Sequence, residues 1–314
     1  MPEIIAIGEV LVEIMRPDSG QPLDLPGTFK GPYPSGAPAI FAVAAARLGL
    51  DVGFIGAVGE DAFGRLMRNC FVTEGVDDAQ LQTPPGYSTG AAFVAYNRQG
   101  EREFVFHIRH AAAGQLSAGG LNKAYFRDVE WLHLSGSTLY LNHKSRDACL
   151  RAMEFTIAQN GRISLDPNLR LELMPLEQSR QILSPFLAAA DLLLPTVGEL
   201  QAISGEEDDV KAIKALGLKD GAITAVKRGS KGSSIFTGDQ RLDVGGFLVH
   251  EIDPTGAGDC FSAAFIAGLQ AGWSLAEVGK FANAAGALAV TRMGPMEGAA
   301  SMTEVKALMN KSIE

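Results

Sequence analysis

The chain has 314 residues, 46% of them hydrophobic and 20% charged, a composition outside the disordered and collagen-like classes. Its 36 acidic residues against 27 basic ones give a net charge of −9, an anionic surface that disfavours nucleic acid as a partner. Three widely spaced cysteines, Cys70, Cys149 and Cys260, form neither a disulfide framework nor a zinc pattern and fit a reducing cytoplasm.

From the N-terminus, residues 4–7 are apolar but are soon followed by Glu9 and Glu13, without the basic segment and long apolar run of a secretion signal. The longest uncharged stretch, 260–276, is too short and too polar to predict a membrane span. Short apolar runs predict strands at 4–8, 52–57, 131–134, 163–166, 192–194 and 223–226. Helical patterns fall between them at 39–48, 63–74, 145–160, 179–189, 210–216, 261–270 and 275–291. This alternation predicts an α/β fold, a doubly wound, mostly parallel sheet with helices on both faces.

Two stretches break the rhythm. Residues 90–96 and 102–107 alternate with period two around Asn97-Arg98-Gln99-Gly100, the pattern of a hairpin. The Pro- and Gly-rich segment 16–35 is placed to pair beside it. Together they predict a small β lid, from about 11–35 and 88–112, inserted into one α/β domain spanning 1–314. Exposed lid strands invite pairing, so a homodimer in which two lids cover each other is expected.

The most informative residues are Asp253-Pro254-Thr255-Gly256-Ala257-Gly258-Asp259, leading into the small-residue run Cys260-Phe261-Ser262-Ala263-Ala264. Gly256 and Gly258 allow the backbone to approach a ligand, and amides at a helix start point outward at the positive end of the macrodipole. That is an anion hole. Asp259 at its mouth can accept a hydroxyl proton, so that the oxygen attacks a phosphorus held by those amides. A tight turn with an N-capping Asp is the plain alternative.

The chain resembles the ribokinase or pfkB family of carbohydrate kinases, whose signature is a D-x-x-G-A-G-D loop entering such a helix. Ser35-Gly36-Ala37-Pro38-Ala39-Ile40-Phe41-Ala42, running on to Arg47-Leu48-Gly49, and Val58-Gly59-Glu60-Asp61-Ala62-Phe63-Gly64 are similar to two earlier family landmarks. The resemblance implies a ribokinase-like fold and an ATP:sugar phosphotransferase. It makes Asp259 the catalytic base and sets the amides of Gly256, Ala257 and Gly258 around the transferred phosphate. ATP and Mg²⁺ are the implied cofactors, with K⁺ as a further one. The family's N-x-x-E metal motif is matched by Thr196-Val197-Gly198-Glu199, so Glu199 is expected near Mg²⁺ through water. Lys227, Gly229, Ser230 and Gly232 are similar to the nucleotide loop, although strand, Gly turn and strand is also an ordinary hairpin. Asn283 falls where the family contacts the nucleoside.

For the sugar, the resemblance points to Glu13, Gly36, Ala37 and Ile40, with Glu13 standing where Asp is commoner and Ile40 where Asn often stands. The Ser35 to Phe41 form resembles kinases of ketohexoses such as tagatose. A rival subgroup, 2-keto-3-deoxygluconate kinases, grips a carboxylate with arginines. Asp166-Pro167-Asn168-Leu169-Arg170 supplies one at Arg170, while the lid arginine, Arg109, is displaced by one residue and so turned to the other strand face. His107 is an alternative lid contact to a sugar hydroxyl. A nucleoside kinase and a catalytically weak sugar or nucleotide sensor of the same fold are the remaining readings. The G-x-x-x-x-G-K-[ST] loop of Walker-type NTPases is absent.

Overall fold

The computed structural model describes residues 1–99 and 102–310; Gly100, read from the sequence as part of a hairpin turn, lies outside the described residues. In chain order the strands are β1 (Ile4–Ile7), β2 (Leu11–Met15), β3 (Lys30–Ser35), β4 (Val52–Ala57), β5 (Asp77–Gln82), β6 (Gly90–Tyr96), β7 (Arg102–His107), β8 (Trp131–Ser135), β9 (Arg162–Asp166), β10 (Leu192–Leu193), β11 (Ile223–Lys227), β12 (Ser233–Thr237) and β13 (Gln240–Val244). The helices are α1 (Ala37–Arg47), α2 (Ala62–Glu74), α3 (Gly136–Leu139), α4 (His143–Ile157), α5 (Leu176–Ala189), α6 (Val197–Ser204), α7 (Asp209–Ala215), α8 (Ala257–Gln270), α9 (Leu275–Ala289) and α10 (Met302–Asn310).

A nine-stranded sheet has the order β13-β12-β11-β10-β9-β8-β1-β4-β5. Strands β11 through β5 in that order pair parallel, and β12 and β13 add an antiparallel hairpin. β1 and β4 are buried and free of polar side chains at every position because both faces of the sheet are covered. In β1, Ile4 and Ala6 pack into the core beneath α1, α8 and α9, while Ile5 and Ile7 pack into the core beneath α4 and α5. This is the doubly wound arrangement expected from the alternating runs.

A second, four-stranded sheet has the order β3-β2-β6-β7, with β2 and β6 parallel and the outer pairs antiparallel. Of the irregular segment 16–35, only Lys30–Ser35 pairs as a strand. The loop before it wraps around the buried Arg16, whose guanidinium donates to the carbonyls of Pro22 (2.9 Å), Thr28 (3.2 Å) and Leu25 and lies 4.1 Å over the Phe29 ring.

The chain pattern missed β5 and the β12–β13 hairpin. β5 is Asp-Asp-Ala-Gln-Leu-Gln, an edge strand with only Leu81 buried, so it carries little hydrophobic signal. β13 is likewise exposed at four of its five positions. The helix expected from 261 starts earlier, at Ala257, which places Asp259 inside its first turn. No described helix is long and apolar enough to cross a membrane.

Candidate active site

The parallel strands deliver their carboxyl ends to one side of the sheet, where binding sites of open α/β sheets form. Gly8 and Glu9 follow β1, Ser137 and Thr138 follow β8, Asp166 ends β9 and Lys227 ends β11. The N-terminus of α8 opens onto the same side. Two cavities meet there, and the loop 253–259 is their common wall. Thr255, Gly256 and Asp259 line the smaller one, about 60 Å³, while Pro254, Ala257 and Gly258 line the larger, about 300 Å³.

Gly256 precedes α8 with φ of +81°, and its backbone packs so closely that a Cβ there would lie 2.4 Å from the Pro295 carbonyl oxygen. The buried Asp253 fixes the start of the loop. Its Oδ1 accepts from the Thr255 amide (3.0 Å) and the Tyr96 hydroxyl (2.6 Å), and its Oδ2 accepts from the Gly294 amide (2.9 Å). Tyr96 ends β6, so the small sheet is tied directly to the loop 253–259. Asp259 makes no N-capping bond and is buried. Burial pushes its carboxyl well above the ordinary range, with Asp166 adding to the rise and Lys227 and Arg170 opposing it.

The smaller cavity brings together Glu13, Gly36, Ala37, Ile40, Arg170 and Asp259 among the residues read from the sequence. Gly36 is at φ +112°, and a Cβ there would lie 2.4 Å from the Glu9 carbonyl oxygen. Glu13 Oε1 accepts from the Ser35 hydroxyl (2.7 Å), whereas its buried Oε2 has no partner among the described residues. Burial pushes this carboxyl up to about 7 against the pull of Ser35. One wall of the cavity is apolar, with Leu11, Phe104, Phe106, Ile108 and Leu173.

His107 and Arg109 are not brought there. On β7 the side chains of Arg102, Phe104 and Phe106 face the cavity, so His107 faces away and sets its ring edge-on to Phe93. Arg109 does not line the cavity; it donates to the carbonyl of Leu173 (2.8 Å), which does. The arginine that does enter from the small sheet is Arg102.

The larger cavity gathers Lys227, Gly229, Ser230, Gly232, Gly258 and Asn283. The loop and hairpin readings of 227–232 both hold, because β11 turns through this loop directly into β12. Asn283 lines the cavity but spends its amide on the Val244 and Gly245 carbonyls, both at 3.1 Å, so it holds the facing loop in place. Lys227 Nζ donates to Asp166 Oδ2 at 2.6 Å.

Glu199 is the third residue of α6 in a capping box. Its Oε2 accepts from the Thr196 amide and hydroxyl, both at 2.8 Å, and its Oε1 from the Leu169 amide (2.9 Å). No cluster of three His, Cys, Asp or Glu side chains able to cage a metal occurs among the described residues. Glu199 and Asp166 line neither cavity; their carboxylates, already hydrogen-bonded, would hold waters of a Mg²⁺ ion rather than bind it directly.

Glu9, Ser137, Arg102, Phe104 and Phe106 line the smaller cavity and were missed in the sequence. The sequence signal for Glu9 was its position directly after the first parallel strand. Its carboxylate accepts from the hydroxyls of Ser137 (2.6 Å) and Thr138.

A model described as pfkB family carbohydrate kinase matches residues 1–302. Fructokinase from Escherichia coli is 35% identical over 302 residues, covering 94% of this chain and 95% of the relative. An Escherichia coli structure in complex with ATP and Mg²⁺, assigned as a ribokinase II, is 39% identical with a TM-score of 0.92, covering 99% of this chain and 100% of the other. Fructokinase from Vibrio cholerae O395, in a form bound to fructose, ADP and calcium, is 29% identical with a TM-score of 0.86, covering 98% of this chain and 99% of the other.

Proposed function

This chain belongs to the pfkB family of carbohydrate kinases and is an ATP-dependent sugar kinase, and from that premise we propose that its acceptor is a neutral ketohexose such as fructose or tagatose. The smaller cavity takes the sugar and the larger takes ATP. The observation that carries this assignment is the loop 253–259, which presents Asp259 to one cavity and the start of α8 to the other. A hydroxyl in the first therefore meets a phosphoryl group in the second across a single wall.

Glu13 Oε2, buried and without a partner among the described residues, is the acceptor that a sugar hydroxyl would satisfy. Asp259, raised by burial, takes the proton of the attacking hydroxyl. The amides of Gly256, Ala257 and Gly258 face the charge that develops on the transferred group. Asn283 holds the loop at 244–245 against the nucleotide, and the glycines at 229 and 232 leave it room. Mg²⁺ supplies positive charge to the phosphates when bound, and Glu199 and Asp166 would hold its waters. K⁺ belongs to the same reading as a cofactor to be tested by replacement with Na⁺. The small sheet excludes water from the sugar, and two copies cover their outward faces, where Phe29 and Val105 are exposed; a monomer in sedimentation would overturn the dimer.

One observation favours a second acceptor class. Arg102 and Arg170 both line the sugar cavity, a pair suited to a carboxylate. Coupled ADP release with Mg-ATP, run against fructose, tagatose, 2-keto-3-deoxygluconate, ribose and adenosine, tests both. Turnover on a neutral ketose supports the first reading, preference for the acid sugar replaces it with the second, and silence on every acceptor rejects both.

A further inference from the structure

Lys227 is the only lysine or arginine among the described residues lining the larger cavity. It ends β11 and is 11% exposed, facing the cavity. Its ammonium reaches the helix start: a Cβ built on Gly258 would lie 3.2 Å from Nζ. It also pairs with Asp166, which is almost fully buried and receives a second, longer bond from the Ser262 hydroxyl (3.4 Å). A buried pair of this kind adds little net stability compared with an apolar pair. Its placement on the path between the nucleotide cavity and Asp259 calls for a different account.

We propose that Lys227 is a catalytic residue that turns from Asp166 toward the phosphoryl group in transit and neutralises the charge gathering on it. This rests on the kinase reading above and deepens it, since a nucleotide-loop position alone gives Lys227 no part in the transfer. The sugar oxygen bonds to the γ-phosphorus as the bond from that phosphorus to the bridging oxygen breaks. The electron pair of the broken bond leaves with ADP, the hydroxyl proton passes to Asp259, and Lys227 keeps all its protons. The α8 amides and the ammonium then grip the same group from two sides.

The test compares two binding affinities, that of ADP with Mg²⁺ and sugar alone, and that of the same mixture with aluminium fluoride standing in for the phosphoryl group. Wild type gains affinity when fluoride is added. In Lys227→Met that gain, taken relative to the variant's own affinity for ADP, falls by about 100-fold, the size of effect seen when one transition-state donor is removed. Lys227→Gln keeps a hydrogen bond to Asp166 without the charge, covers the case in which the Met variant does not fold, and is expected to lose the gain equally. A fluoride gain within about threefold of wild type in either folded variant overturns the proposal. If the kinase reading itself fails, wild type shows no fluoride gain, and the two failures are thereby distinguished.

Discussion

Replacing Gly256 by Ala, with Gly272→Ala as its partner, separates backbone strain from displacement of the anion hole. The two glycines flank α8 and share a left-handed conformation, φ +81° and +70°. Either alanine therefore costs about 1–2 kcal/mol in backbone strain. Gly272 faces open space, and its cost ends there. At Gly256 the new Cβ would lie 2.4 Å from the Pro295 carbonyl oxygen and 3.1 Å from Ile40 Cγ2. Restoring an ordinary separation near 3.4 Å requires the loop to retreat by about 1 Å, since 3.4 − 2.4 = 1.0. A misplacement of that size costs about 100-fold in rate. Gly272→Ala should lower Tm by a few degrees, about 2–4 °C per kcal/mol, and leave kcat intact. Gly256→Ala should lower Tm further and kcat by about 100-fold, read by thermal melting and coupled ADP release on the same preparations. A Gly256→Ala enzyme that keeps kcat within about threefold of the Gly272→Ala enzyme would refute the close-packing argument.

Asp259→Asn keeps the shape but cannot accept the proton, so kcat should fall by about 10²–10⁴ with ATP affinity nearly unchanged; full turnover removes the base assignment. Glu13, pushed up to about 7 by burial, is protonated below that pH and ionised above it, and the ionised form accepts the stronger hydrogen bonds from sugar hydroxyls. Sugar kcat/KM should therefore rise from pH 6 to pH 8, and the Glu13 part of that rise should vanish in Glu13→Gln; an unchanged profile assigns it elsewhere. Burial pushes His133 down to about 3, so the folded protein keeps this imidazole neutral while the unfolded chain binds a proton below 6.5. Stability is thus lost as pH falls from 6.5 toward 3, by about 2 kcal/mol at pH 5; urea melts of His133→Gln at pH 7 and pH 5 should show a correspondingly smaller loss.

The sheet was legible because strands buried on both faces are mostly apolar, and 4–7 and 52–57 are apolar throughout. The loop 253–259 stood out because its glycines precede a small-residue helix and match the family signature, which the spacing alone would not separate from a tight turn. Edge strands such as Asp77–Gln82 were not, since exposure removes the pattern that marks a strand. The lid failed at the level of a single register. The choice of His107 or Arg109 over Arg102 depends on which alternate set faces the cavity, and pairing Ala92 with Phe106 turns the even-numbered residues inward. Thr196-Val197-Gly198-Glu199 carried a readable capping-box pattern, and that local role accounts for the hydrogen bonds Glu199 makes.

The pairs that set the chemistry join residues distant in sequence: Asp166 with Lys227 and Glu13 with Ser35. No local pattern can announce them, because each exists only once strands are laid side by side. The first pair acts on Asp259 together with burial and Arg170. Burial alone would leave its carboxyl too weak an acid to ionise readily, while Lys227 and Arg170 at full strength would leave it too weak a base. The Asp166 partner restrains Lys227 in the resting site. When the ammonium turns toward the phosphoryl group, it exchanges Asp166 for the phosphoryl oxygens as its counter-charge. Removing the ammonium charge raises the Asp259 carboxyl further, so the pH dependence of kcat in Lys227→Gln should shift to higher pH. A profile that stays in place would show that the ammonium exerts no influence on Asp259.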